Sequence, residues 1–169
     1  RNQELLILVF DHRTQFEESC HTESLPQEKI LRFKELVHQG FHAVSQAIKD
    51  NNLAILIDPK YGKKILNDSS DFNYTVGVPI EDEGIFPLNW LCEGSLYQHL
   101  LERPSTWFVK VLFRFHTKMN PEDKKSQLTQ LRKLSGVCSE LKRKLMVELI
   151  IPEDFSQEDA STVNEVALT

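Results

Sequence analysis

Cysteine, glycine and long apolar runs are all scarce in this chain. Its 169 residues include 3 cysteines and 6 glycines. Cys20, Cys92 and Cys138 are odd in number and lack metal-type spacing. They read as reduced thiols of a cytoplasmic protein, not as a disulfide frame or a metal site. No stretch approaches the roughly 18 apolar residues of a membrane span, and no secretory signal precedes the first strand, so no membrane partner is expected. Glycine is missing from DHRTQFEES, the segment after the first apolar run. A dinucleotide fold of the usual kind carries its glycine-rich phosphate loop there, so that fold is not expected and no cofactor is implied. A basic stripe is missing as well. The formal net charge is -5, the basic residues are spread out, and no nucleic-acid partner is expected. The one basic cluster, Lys142, Arg143 and Lys144, reads as a helix C-terminus complementing its dipole. There is no low-complexity segment and no short repeat.

What is present is ordinary in amount and specific in order. With 40% hydrophobic and 27% charged residues, the chain reads as one soluble domain with a real core. Four apolar runs stand out: LLILVFDHR from Leu5 to Arg13, LAILID from Leu53 to Asp58, WFVKVLF from Trp107 to Phe113, and LMVELII from Leu145 to Ile151. Runs of this kind suit strands buried on both faces of a parallel sheet. A weaker, β-branched strand is expected from Tyr74 to Ile80. Between the strands come a polar stretch from Arg13 to Gln27, then a long helix opened by Pro26 and running to about Asp50. Ile30, Phe33, Val37, Phe41, Val44 and Ile48 form its apolar stripe, and Asn51 and Asn52 close it. A short helical run, KKILND, follows the turn PKYG. Glu81 to Pro87 reads as an acidic loop, and Asn89 to Glu102 as a helix. Asn120 caps a further helix, with Pro121 in its first turn, running to about Lys144. The expected organisation is a barrel-forming region over 1–152, then 153–169 as an acidic tail or the start of another helix.

This βα alternation predicts an α/β protein with a parallel sheet. Two architectures fit, an open doubly wound sheet or part of a (β/α)₈ barrel. Both gather their chemistry at the C-terminal ends of the strands.

Charges inside or at the ends of such strands are costly unless they are paired or face a site. Asp11, His12 and Arg13 sit where strand one gives way to its loop. The aspartate can move a proton, and the arginine can grip a phosphate or carboxylate with two parallel bonds. Asp58 ends strand two and has two open roles, a site residue or a turn aspartate bonding its own loop. Lys110 alternates with Val109 and Val111 and is expected to face the other way, into an interior. There it serves as an imine-forming amine, as a cation for a substrate anion, or as half of an internal ion pair. Arg114 shares its side and is an anion-binding candidate near the mouth; His116 follows on that side. Glu148 is a proton-handling partner for the lysine or its structural counter-ion. Trp90, Trp107 and Cys92 read as core. His38 and His42 have metal-capable spacing but are expected on a solvated helix face, so no metal site is assigned.

The runs LLILVFDHRTQFEE, LAILIDPKYG, WFVKVLFRFH and LMVELII, in this order and spacing, resemble the aldolase-like domain fused behind the sugar kinase of bacterial myo-inositol catabolism. More distantly, they are similar to tagatose-bisphosphate aldolases. The resemblance spans about residues 5 to 152. It implies a barrel of the aldolase TIM type and retro-aldol cleavage of a phosphorylated keto-sugar acid through a lysine Schiff base, without a metal. Asp11, Arg13, Lys110 and Glu148 match that family's active-site positions, and His12 stands where the family has His or Gln. From these matches, together with strand-end position and side-chain alternation, Asp11, Lys110 and Glu148 are expected to be catalytic and His12, Arg13, Asp58 and Arg114 substrate-binding. Two departures stand against the resemblance: FRFHTKMNPED follows the lysine strand, and Val78 in VGVPIE stands where the family commonly has arginine. A full barrel takes about 250 residues, so this chain supplies about five βα units. The lysine that forms the imine in the more distant relatives lies on a later strand. The chain is therefore a fragment, a truncation without catalysis, or a partial barrel completed by another copy. Self-association, or membership of a longer fused chain, is expected. The alternative function is a non-catalytic module serving a fused carbohydrate kinase.

Overall fold

The structure is a computed structural model that describes residues 5–22, 26–48, 52–92 and 94–151. Strands and helices alternate along them: β1 Leu6–Phe10, α1 Thr14–Thr22, α2 Glu28–Ile48, β2 Leu53–Ile57, α3 Lys63–Asn67, β3 Thr75–Pro79, α4 Leu96–Leu101, β4 Phe108–Arg114, α5 Pro121–Glu140 and β5 Leu145–Ile150. The strands form one parallel sheet in the order β1-β2-β3-β4-β5. A doubly wound sheet reverses direction at a switch point. Here strand order follows chain order throughout, as in the wall of a parallel barrel. Contacts divide the described residues into two units. One runs up to Pro79 and includes Pro104–Val109; the other comprises Ile80–Arg103 and the residues from Lys110 onward.

The first unit is built on β2, all five of whose residues are buried. This is the burial expected of an apolar run covered on both faces. β1 pairs with β2 from Leu6↔Leu53 to Phe10↔Ile57, so the residues that follow, Asp11 and Asp58, leave the sheet at the same level. The core joins Phe10, Ile55, Ile57, Leu66, Tyr74, Val76 and Trp107. Each fully buried aliphatic or aromatic side chain of this kind stabilises the fold by about 1.5–3 kcal/mol. At Gly77, in the middle of β3, a Cβ would overlap the ring of Phe108 and the side chain of Leu56.

Three expectations for this unit are corrected. The polar stretch after strand one contains α1, anchored by Phe16, whose ring lies 6.3 Å from that of Phe10 and 5.5 Å from that of Phe33. One aromatic among polar residues gives no helical period to read. The stripe assigned to α2 holds in part, with Ile30 buried and Val37 and Phe41 packed against the core. The buried residues of α2 are Ile30, Lys34 and Ser45, while Phe33, Val44 and Ile48 are about half exposed. A hydropathy pattern passes over the polar Lys34 and Ser45 because each is buried against its own partner. His38 and His42 are not on a solvated face. Both rings meet the Tyr74 hydroxyl, at 2.8 Å from His38 Nε2 and 3.3 Å from His42 Nδ1, with Phe72 packed beside them. Asn51, expected to close α2, lies outside the described residues, as does the 153–169 tail.

The second unit carries most of β4, with β5, α4 and α5. Val111 and Phe113 are buried on one side of β4, and Lys110, Leu112 and Arg114 alternate with them, as expected from a two-residue period. Asn120 caps α5 by accepting a bond from Asp123 N at 2.8 Å, with Pro121 in the first turn. Gln127 is 2% exposed and ties α5 down at both ends of its amide: its oxygen accepts from Leu88 N and its nitrogen donates to Arg114 O.

Here too some expectations fail. Among the described residues, Asn89–Glu102 is helical only as α4. Before that, Trp90 forms an antiparallel bridge with Glu81, and Gly94 at φ +85° is incompatible with a continuous helix. The helix expected to reach Lys144 stops at Glu140, and Lys142 takes a left-handed φ of 53°. Arg143 therefore does not decorate a helix end. Its guanidinium donates to Leu100 O at 2.8 Å and Arg103 O at 2.5 Å, satisfying carbonyls at and just beyond the end of α4. Trp90 and Trp107 are core residues as expected, while Cys92 is only partly buried.

Candidate functional site

The seven candidate residues divide between the units. Asp11, His12, Arg13 and Asp58 belong to the first; Lys110, Arg114 and Glu148 belong to the second.

In the first unit, the chain leaves β1 with Asp11 and Arg13 buried, at 7% and 6% exposure, and His12 between them exposed. What holds this turn is a residue the sequence reading missed. Lys34 of α2 is fully buried. Its ammonium donates to Phe10 O at 3.0 Å, to His12 O at 2.9 Å and to Asp58 Oδ2. The other carboxylate oxygen, Asp58 Oδ1, accepts from Tyr61 N at 2.7 Å. Both oxygens of Asp58 are thus engaged within the protein, so of its two possible roles these are the bonds of the turn and ion-pair role. Lys34 was legible in principle: it stands one turn after Ile30 and one turn before Val37, a charge inside an apolar row.

The turn after β2 also shapes a cleft of about 270 Å³ lined by Glu17, Cys20, His21, Gln27, Ile30, Lys60 and Tyr61. Glu17 accepts from the Lys60 ammonium and the Tyr61 hydroxyl, each at 2.6 Å, and these bonds hold its carboxyl below the usual carboxylate range. Burial, and the bond to Glu17, push the Tyr61 phenol up.

In the second unit, the side chains of Lys110 and Glu148 come together. The Lys110 ammonium lies 2.8 Å from Glu148 Oε2 and 3.8 Å from Glu81 Oε1. Lys110 is 4% exposed and Glu81 5%, whereas the side chain of Glu148 keeps 47% of its surface in solvent. Glu81 is the second residue the sequence reading missed. It leads the acidic run Glu81-Asp82-Glu83, a pattern expected of a loop. Its position two residues after β3, directly behind the buried Ile80, is the signal that distinguishes it. The structure fixes its level: Ile80 N donates to Lys110 O at 3.1 Å, and the bridge to Trp90 holds Glu81 from the other side. One cation between a buried and a half-exposed carboxylate has the parts of an acid/base relay, with Glu148 as the route to water. It is equally the layout of a structural ion-pair network.

Arg114, four residues beyond Lys110 on β4, is partly buried. His116 is 2% exposed, and its Nδ1 accepts from Lys118 N at 3.2 Å, so it braces the turn into α5. Among the described residues, no group of three or more His, Cys, Asp or Glu side chains is arranged to hold a metal ion, and no helix is long and apolar enough to cross a membrane.

A family model described as "Uncharacterized protein conserved in bacteria (DUF2090)" matches residues 1–168. The chain belongs to the DUF2090 family. No curated protein matches it. Membership in DUF2090 names no reaction, so the chemistry has to be argued from Lys110 and its two carboxylates and from the turn at Asp11 and Arg13.

Proposed function

We propose that this DUF2090 chain is an aldolase-type barrel domain of carbohydrate catabolism, of the aldolase TIM type with about five βα units, acting on a phosphorylated keto-sugar acid. The observation that carries the reading is the buried Lys110 ammonium, 2.8 Å from Glu148 and 3.8 Å from Glu81. The chemistry follows from these groups. Passing one proton to Glu148 leaves Lys110 as an amine able to attack the keto carbonyl. Loss of water gives an iminium, which draws electrons from the bond between the carbons α and β to it. A carboxylate takes the proton of the substrate hydroxyl as that bond breaks, and the resulting enamine is reprotonated and hydrolysed. Arg114 supplies a cation for the substrate's anionic groups. At the exit of β1, Asp11 is read as a proton-handling group, and His12 and Arg13 as substrate contacts. The resemblance of four ordered segments to aldolase-like domains supports the reading.

A second reading has its own support. Two carboxylates around one ammonium neutralise it, which suits a non-catalytic domain attached to or regulating a carbohydrate kinase.

Turnover separates the two. Purified chain is incubated with phosphorylated keto-sugar acids, and the cleavage products are followed by NMR. Cleavage that is lost in Lys110→Met supports the aldolase reading. No cleavage of any such substrate by the folded parent supports the kinase-associated module.

A further inference from the structure

We propose that Lys34 and Asp58 are a positioning pair that fixes the exit of β1, and with it the orientation of Asp11 and Arg13. This rests on the reading of Asp11 and Arg13 as substrate-facing groups.

Both members of the pair are fully buried. Burying two charges costs so much solvation that an apolar pair of similar volume is often as stable or more so. Stability alone is thus a poor account of why they are here. The geometry gives a better one. An ammonium has three protons, and Lys34 directs one to Phe10 O, one to His12 O and one to Asp58. The two carbonyls belong to the peptide units that lead into Asp11 and into Arg13, so both units are held to a single point. None of the three protons remains for a ligand, which excludes a direct chemical role for Lys34. The rings of Phe10 and Phe16, 4.8 and 5.4 Å from the ammonium, wall it in. Asp58 is fixed in turn by Tyr61 N. Since Asp11 and Asp58 leave their strands at the same level, one buried cation closes both turns. An apolar side chain at position 34 could fill the space but could not hold two carbonyls. The pair therefore preorganises the β1 exit before any substrate arrives.

The test compares the parent, Lys34→Met, and the double variant Lys34→Met/Asp58→Leu. The single variant strands a buried carboxylate and should raise the unfolding equilibrium constant by at least about tenfold, whereas the double variant removes that stranded charge and should recover part of the loss, the remainder being the bonds that Phe10 O, His12 O and Tyr61 N no longer make to these two side chains. Positioning predicts that the folded double variant shows shifted backbone amide resonances at Asp11, His12 and Arg13. It also predicts that kcat falls by about tenfold or more with a much smaller change in KM, because the reacting groups are no longer held in place. A folded double variant with the parent's resonances and kcat overturns the proposal. If the double variant does not fold, Asp58→Asn carries the test, since it keeps one of the two acceptor oxygens and removes the charge, which weakens the tether. Hydrogen exchange at the amides of His12 and Arg13 should then accelerate by about tenfold, and unchanged exchange overturns the proposal. If the parent shows no turnover while the amide shifts appear, the aldolase reading falls and the positioning of the β1 exit stands.

Discussion

Lys110 Nζ lies 2.8 Å from Glu148 Oε2, yet the lysine is 4% exposed while the glutamate side chain keeps 47% of its surface in solvent. The two ends of this ion pair therefore have unequal consequences. Removing the lysine as Lys110→Met takes its ammonium away from the buried Glu81, and should destabilise the protein by about 3–5 kcal/mol. Glu148→Gln gives up a pair that water already screens and should cost about 1 kcal/mol or less. Urea unfolding of both variants checks the order, and an equal loss in the two contradicts it.

Gly77 has no room for a methyl group. Gly77→Ala drives a Cβ into the Phe108 ring and the Leu56 side chain, both buried. The expected loss is about 1–3 kcal/mol, the usual cost of overpacking a filled core. Gly40→Ala, with nothing within 4 Å of the added carbon, is the control. It sits within α2 and should be neutral or stabilising by up to about 1 kcal/mol, because alanine favours helix. Thermal melts distinguish the two.

Stability should fall as the solution is acidified through the histidine range. Burial, reinforced by the neighbouring His42, pushes His38 below its ordinary value of 6.5, with Asp68 opposing weakly. Burial and Arg103 push His99 the same way. In the window just below 6.5, the unfolded chain binds protons that the folded chain does not, so the free energy of unfolding rises with pH across that window and levels off above it. Glu17 and Glu35, whose values are lowered, add a loss of the same sign at more acidic pH, below their ordinary 4.5. Urea midpoints measured in steps from about pH 5 to about pH 7.5 check this, and His38→Phe should flatten the histidine part of the slope.

Arg143 holds the end of α4. Arg143→Ala removes two donors from Leu100 O and Arg103 O. The expected cost is about 1–3 kcal/mol, since two hydrogen bonds from a charged donor are lost, while Leu100 O keeps its bond from Arg103 N at 3.3 Å. Lys142→Gly should go the other way, by about 1 kcal/mol, because it relieves the left-handed φ of 53°. Denaturant titrations of both variants measure the two effects.

The parts of the fold legible in the sequence were those with a strong period or a distinct cap. β2 and β4 are apolar runs, and the Asn120-Pro121 start of α5 is a local signal that tertiary contacts do not alter. α1 was missed because Phe16 alone anchors it. Half of the expected helix before α4 is instead a bridge between Trp90 and Glu81, whose partner lies nine residues away and leaves no periodic trace. At the candidate sites, Lys110, Glu148, Asp11 and Arg13 were legible as charges in or beside apolar strands. Glu81 was hidden in an acidic run. Lys34 was hidden by the assumption that a helix buries only apolar residues, an assumption that fails wherever a charge finds all its partners inside.

Borohydride reduction of the chain with a phosphorylated keto-sugar acid, followed by peptide mass mapping, tests the central claim most directly. The account predicts a reduced sugar adduct on Lys110 that is absent from Glu148→Gln or strongly diminished in it. Unmodified Lys110 in folded protein, with the sugar phosphate recovered intact, would contradict it.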